Sequence, residues 1–288
     1  MEKHLLITIG EDRDALYGVR FFSCFFKEKT QTNATLVYVA PHTESAGPAG
    51  ASPKSGQDRE LSDPNLRKGR EALEAGRRLL LDRGFPEKNI TTKVMAKRFG
   101  TVRDIAIEGE RGLYDAVVLG RRGYVVFEKT LASSVSRQIM DYNIGFPLWI
   151  CKRPEEGRKN VLLCIDDSKP SLHIADHAGF ILGGEKEHTV TLFHVDTGET
   201  RNRDAIFERA RQTLLENGVS GERIRERIAT STKVAAAILE ESRRGAYAAV
   251  AVGRSGSPSK GLLHKWMMGS IGMRLLESIE KAALWVSK

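Results

Sequence analysis

At 288 residues the chain is longer than one typical domain, and two domains of about 140 residues each are the expected arrangement. Its net charge of +8 is dispersed over Arg67-Lys68, Arg70, Arg77-Arg78 and Arg243-Arg244, mostly interleaved with Glu and without a helix-turn-helix, zinc-finger or aromatic RNP-like pattern. That distribution reads as solvated helix faces and argues against a nucleic-acid footprint. No apolar run approaches the roughly 18 residues of a membrane span, and Met1-Glu2-Lys3-His4 leads straight into a strand, so a soluble, cytoplasmic protein with no membrane partner is expected. Cys24, Cys151 and Cys164 lie in apolar runs with no Cys-x-x-Cys, which reads as buried thiols in a reducing compartment.

Taken in chain order, Leu5 to Ile9 and Leu36 to Val39 read as strands. Pro41 to Asn65 follows, rich in Pro, Ser, Gly and charge with no apolar period, and reads as a mobile surface loop. Ala116 to Leu119 is apolar at consecutive positions, as a strand buried on both faces requires, and it empties into Gly120-Arg121-Arg122-Gly123. Leu148-Trp149 belongs to another strand, and the polar segment Lys152 to Lys159, broken by Pro154 and Gly157, reads as a linker.

Beyond the linker the order repeats. Strands are expected at Asn160 to Asp166, Thr189 to Val195, Arg223 to Ile228, Ala248 to Val252 and Ala282 to Val286. Helices are expected at Ser171 to Leu182, stopped by Gly183-Gly184, at Asp204 to Glu216, closed by Asn217-Gly218, at Val234 to Arg243 and at Ser270 to Ile279. Alternating strands and amphipathic helices specify right-handed crossovers and a parallel sheet covered on both faces, an α/β fold.

The repetition extends to residues. Tyr114 to Gly123 returns as Tyr247 to Gly256 at one constant offset. Leu5 to Ile9 matches Val161 to Ile165, Leu36 to Val39 matches Leu192 to Val195, and Leu148-Trp149 matches Leu284-Trp285. Offsets that change only in loops are what internal duplication predicts. Two units follow, residues 1–152 and 158–288.

In open α/β sheets a ligand sits beyond the carboxyl ends of the strands where the strand order reverses. In the second unit the first strand ends in Asp166-Asp167-Ser168 and the fourth in Gly253-Arg254-Ser255-Gly256, with Gly269-Ser270 opening a later helix. A carboxylate there can accept from ribose hydroxyls or a base amino group, the glycines let backbone approach phosphate, and Ser270 adds a hydroxyl at a helix N-terminus. The constellation outlines a nucleotide pocket.

This layout resembles a tandem universal stress protein, a family with a first strand ending in Asp-Gly-Ser and a Gly-x2-Gly-x9-Gly-Ser/Thr motif in its ATP-binding members. The resemblance covers both units apart from the 41–65 loop. It implies two tandem five-stranded parallel-sheet domains of order 3-2-1-4-5, Rossmann-like and of the adenine nucleotide alpha hydrolase kind, paired through their last strands. On one chain that pair would form internally, and a further homodimer is allowed. It implies a stress-response or regulatory module, with ATP or AMP as ligand and Mg2+ able to accompany ATP.

Carried over by position, the resemblance makes the units unequal. Asp166, Gly253, Gly256, Gly269 and Ser270 fit, and Val195 ends the second strand where the family backbone touches adenine; twelve residues separate Gly256 from Gly269, three more than the motif. That insert, within Ser257 to Gly261, either reshapes the phosphate loop, with Lys260 as a phosphate partner, or marks a pocket that has lost ATP. In the first unit Gly10 stands at the acidic position, Val39 at the adenine position, and Gly120 and Gly123 are followed by Ser133-Ser134, so one motif glycine is missing. The first site is expected to be degenerate.

No Walker loop of the Gly-x4-Gly-Lys-Ser/Thr type and no Gly-x-Ser-x-Gly elbow occurs, so no catalytic residue is assigned and at most slow ATP hydrolysis is expected. The alternative is an interaction scaffold of the same fold that binds no nucleotide. His173 and His177 have a metal-capable spacing on one helix, yet no Glu or Cys completes a set, and ordinary helix contacts are expected with no metal.

Overall fold

The computed structural model describes residues 1–10, 16–41, 64–120, 135–140, 142, 144–198, 202–254 and 269–287. Among them ten strands run in chain order: β1 (Lys3–Thr8), β2 (Thr32–Ala40), β3 (Ile90–Ala96), β4 (Ala116–Gly120), β5 (Leu148–Cys151), β6 (Val161–Cys164), β7 (Val190–Asp196), β8 (Ile224–Thr230), β9 (Ala249–Gly253) and β10 (Ala283–Ser287). The α-helices between them are α1 (Tyr17–Phe25), α2 (Pro64–Asp82), α3 (Thr101–Arg111), α4 (Val135–Met140), α5 (Lys169–Gly183), α6 (Arg203–Glu216), α7 (Val234–Arg244) and α8 (Ser270–Ser278).

The strands form one continuous sheet in the order β3-β2-β1-β4-β5-β10-β9-β6-β7-β8. Each half of that order is parallel throughout. The exception is the junction, where β5 and β10 run antiparallel. Instead of two separate five-stranded sheets there is a single ten-stranded one, because each half covers the other's last edge strand, which would otherwise expose unpaired backbone groups.

Alternate residues of the central strands point to opposite faces, so apolar side chains are needed at consecutive positions. Leu5, Ile7, Leu163 and Ala251 fill one face with Phe22 of α1, Ala72 of α2 and Ile174 of α5. Leu6, Leu162 and Val250 fill the other with Ile105 of α3, Ile238 of α7 and Leu275 of α8.

The repeated tyrosines lead into β4 and β9 and tie them to the outer elements. Tyr114 donates to Glu108 at 3.2 Å and Tyr247 to Glu241 at 3.0 Å. Lys93 of β3 pairs with Glu108 at 2.7 Å, and Arg227 of β8 with Glu241 at 3.5 Å. The same polar link is thus built once in each half.

At the junction Trp149 and Trp285 lie directly opposite. Their rings stack with centroids 4.1 Å apart and planes at 8°. Phe21 and Phe25 of α1 meet both indoles edge-on. Trp149 donates its Nε1 hydrogen to His177 Nε2 at 2.9 Å. His177 is buried, and the loss of water pushes its pKa down to about 3, so it sits there neutral. In the sequence register that matches the two halves, the residue corresponding to His177 is Phe21, which has no acceptor. Trp285 Nε1 is accordingly buried with no partner among the described residues.

Two further contacts cross the junction. Glu185, fully buried beyond the end of α5, accepts from the backbone N–H groups of Lys27 at 2.9 Å and Glu28 at 3.3 Å. Arg254 donates to the Tyr142 carbonyl at 2.6 Å and to the Met140 carbonyl at the end of α4.

Candidate functional site

β6 and β9 are neighbours in the sheet, so their carboxyl ends open at the same edge. Beyond β6 the chain turns at once into α5. Ser168 caps that helix, its Oγ accepting from Ser171 N at 3.3 Å, and Pro170 sits in the first turn, where a missing N–H costs nothing. The Asp166 carboxylate accepts from Ser168 N at 2.9 Å and from the Ser168 hydroxyl. The Asp166 N–H donates to Ser171 Oγ at 2.9 Å. Asp166 is thus exposed to solvent yet held by a built turn, with its second oxygen in none of these bonds.

Asp167, also exposed, pairs with Arg209 of α6. Val195 lies in β7 one residue from its end and is half-buried. Gly269 is the N-cap of α8 without a side-chain cap, and Ser270 is its exposed first residue. Gly256 and the Ser257 to Gly261 insert, with Lys260, lie outside the described residues.

Gly253 ends β9, and its glycine has a packing cause that sequence reasoning missed. A Cβ there would stand 2.5 Å from the carbonyl carbon of Pro170 and 2.7 Å from Ser171 N. The first turn of α5 therefore rests on bare backbone at the strand end. Gly120 repeats the arrangement more loosely, with a Cβ position 3.2 Å from Gly18 N in α1. The strand-end glycine read as a phosphate approach is, in both halves, where a helix start meets the sheet.

Arg254 also differs from its expected place beside a ligand. It is 3% exposed, its backbone N–H donates to Ser287 O at 2.6 Å, and one terminal nitrogen of its guanidinium donates to the carbonyls of Met140 and Tyr142. Those carbonyls follow the C-terminal end of α4, where the helix dipole favours a cation. The residue fastens the two halves together.

Among the described residues the corresponding edge of the first half has Gly10 after β1, and residues 11–15 lie outside them. Gly10 is exposed, and a Cβ added there would meet nothing within 4 Å. α1 starts at Tyr17 with Leu16 at the N-cap and no side-chain cap. Val39 is half-buried in β2, and Gly120 ends β4. Gly123, Ser133, Ser134 and residues 42–63 of the expected 41–65 loop lie outside the described residues, while Pro64 and Asn65, expected in that loop, open α2.

The remaining candidates occupy structural positions. His177 is engaged with Trp149 while His173 is exposed, and among the described residues no cluster of three or more His, Cys, Asp or Glu could hold a metal. Burial pushes the thiols of Cys151 and Cys164 upward. Among the described residues no helix is long and apolar enough to cross a membrane.

The fold these elements define is that of the universal stress proteins. A universal stress protein from Archaeoglobus fulgidus superposes with a TM-score of 0.67 at 19% identity, covering 99% of this chain and 98% of its own. A functionally unknown protein from Pseudomonas aeruginosa gives 0.50 at 13% identity, over 100% of this chain and 92% of its own. A universal stress protein solved in complex with cAMP overlaps 45% of this chain and 95% of its own, at 19% identity and a TM-score of 0.37. No protein-family model and no curated protein matches the sequence.

Proposed function

We propose that the chain is a stress-response module of two tandem domains, residues 1–152 and 158–288, each with strand order 3-2-1-4-5, and that only the second holds an adenine nucleotide, ATP or AMP. The observation that carries this reading is the contrast between the two strand ends. Beyond β6 a carboxylate is fixed by the Ser168 turn above a capped helix; beyond β1, among the described residues, there is Gly10 and a start of α1 without a side-chain cap. In this reading the Asp166 carboxylate accepts from a ribose hydroxyl, the backbone near Val195 meets adenine, and Gly256, Gly269 and Ser270 receive phosphate, with Mg2+ accompanying ATP. Asp167 serves by holding Arg209. The phosphates draw their donors from the 253–270 side, because Pro170 has no N–H and Ser171 N is already engaged with Ser168.

Asp166→Asn tests the reading cleanly, since an amide oxygen still accepts from Ser168 while the charge is lost. The wild-type thermal midpoint should rise with saturating ATP or AMP, and the variant should lose most of that rise. No shift in the wild type rejects nucleotide binding. A second reading, a scaffold of the same fold without nucleotide, is favoured by Gly253, whose missing Cβ is required by the packing of α5 on the strand end. Nucleotide retained in native mass spectra of the purified protein would reject it.

A further inference from the structure

The two outer edges of the sheet are built differently. β8 carries charge at Arg225, Glu226 and Arg227, and two of these are ion-paired, Glu226 with Arg211 and Arg227 with Glu241. Charge on an edge strand keeps other strands from pairing with it. β3 offers Thr91-Thr92-Lys93-Val94-Met95-Ala96; its Lys93–Glu108 pair and exposed Val94 (37%) repeat Arg227–Glu241 and Ile228 (50%) of β8, so the edges differ in Thr91-Thr92 against Arg225-Glu226. Among the described residues only β2 pairs with it.

The loops that follow differ too. After β8 comes Ser231-Thr232-Lys233; after β3 comes Lys97-Arg98-Phe99-Gly100. Phe99 is 61% exposed, an unusual position for a large aromatic side chain. Its loop is nevertheless firmly held. Buried Asp104 accepts from the backbone N–H groups of Arg98 at 2.9 Å and Phe99 at 3.1 Å. Gly100 takes a φ of +113°, and the Arg103 guanidinium lies 4.8 Å from the Phe99 ring centroid. Lys97, Arg98 and Arg103 form no ion pair with any described residue. An exposed ring among three cations that pair with no described residue, beside a strand edge that among the described residues only β2 pairs, is a surface complementary to an anionic, extended partner.

We propose that β3 and the Lys97–Gly100 loop form a docking surface for an extended acidic peptide. The peptide adds as a strand along β3, its carboxylates reach Lys97, Arg98 and Arg103, and an apolar side chain lies on Phe99 and Val94. A peptide fits better than nucleic acid because the open edge offers backbone donors and acceptors in strand register, which only another polypeptide matches. The surface is separate from the nucleotide reading and stands without it.

A synthetic peptide of about ten residues alternating valine and glutamate, a typical strand length, is a direct probe. In the intact chain it should bind and slow amide exchange in residues 90–96, while the valine–lysine counterpart should not bind. The double variant Lys97→Glu, Arg98→Glu should weaken binding by more than about tenfold, and Phe99→Ala should weaken it as well. All three positions are exposed, so unchanged circular dichroism is expected. No binding, unchanged exchange at β3, or equal affinity in the variants overturns the proposal. Tighter binding of a single-stranded uridine oligonucleotide, lost in Phe99→Ala, also overturns it and reassigns the surface.

Discussion

The two halves share one fold and differ where each would act. The second half has an aspartate held in a turn over a capped helix, and it supplies the polar groups, His177, Glu185 and Arg254, that grip the first half. Among the described residues the first half presents Gly10 and a helix start without a side-chain cap at the equivalent edge, but carries an exposed aromatic and cationic loop that the second lacks. Where the sheet itself demands a residue, as at Gly120 and Gly253 or Trp149 and Trp285, both halves keep it. The lesson is that the repeated motif mixes two requirements: its first glycine answers to packing, and only the groups around it distinguish one half from the other.

The largest expected effect separates the strand-end glycine from the ligand-edge glycine. Gly253→Ala should destabilise by about 2–3 kcal/mol, because the new Cβ meets backbone of α5 that cannot swing aside. Gly10→Ala should stay within about 0.5 kcal/mol, having open space. Denaturant midpoints measure both, and similar values would remove the packing account of Gly253.

A smaller effect tests the broken symmetry at the junction. Trp149→Phe leaves the His177 acceptor buried without its donor, a loss of about 1–3 kcal/mol. Trp285→Phe deletes an N–H that has no partner among the described residues, which offsets much of the lost ring area, and should cost clearly less. Equal losses would show that the hydrogen bond to His177 contributes nothing.

The third effect is gradual. His177 has its pKa pushed from 6.5 to about 3 by burial, so below pH 6.5 the unfolded chain takes up a proton that the folded chain refuses. This contribution is fully present above pH 6.5 and is lost as pH falls toward 3, at about 1.4 kcal/mol per unit. His188, lowered to about 4 by burial, acts in the same direction. Unfolding free energies between pH 7 and 5 should fall less steeply in His177→Gln than in wild type, and parallel curves would contradict the assignment.

Much of the fold is legible because alternating apolar strands and helices leave few arrangements, but boundaries shift: β6 is shorter than the expected Asn160–Asp166 by one residue at its start and two at its end, β8 runs two residues beyond the expected Ile228, and β9 lies one residue later than expected at each end. The candidate site was legible only as a set of residue types. Asp166, Ser168 and Gly253 do meet at the start of α5, but that Gly253 supports a helix and that Arg254 reaches Met140 and Tyr142 depends on approaches between segments far apart in sequence. The matching tryptophans were visible as a repeat, while the His177 bond that makes them unequal required the antiparallel register of β5 and β10.

The central claim, that the halves are unequal toward nucleotide, is tested most directly by calorimetric titration of the intact chain with ATP. One nucleotide per chain is predicted, with binding lost in Asp166→Asn and unchanged in Gly10→Ala. Two per chain, none, or a loss caused by Gly10→Ala would contradict it.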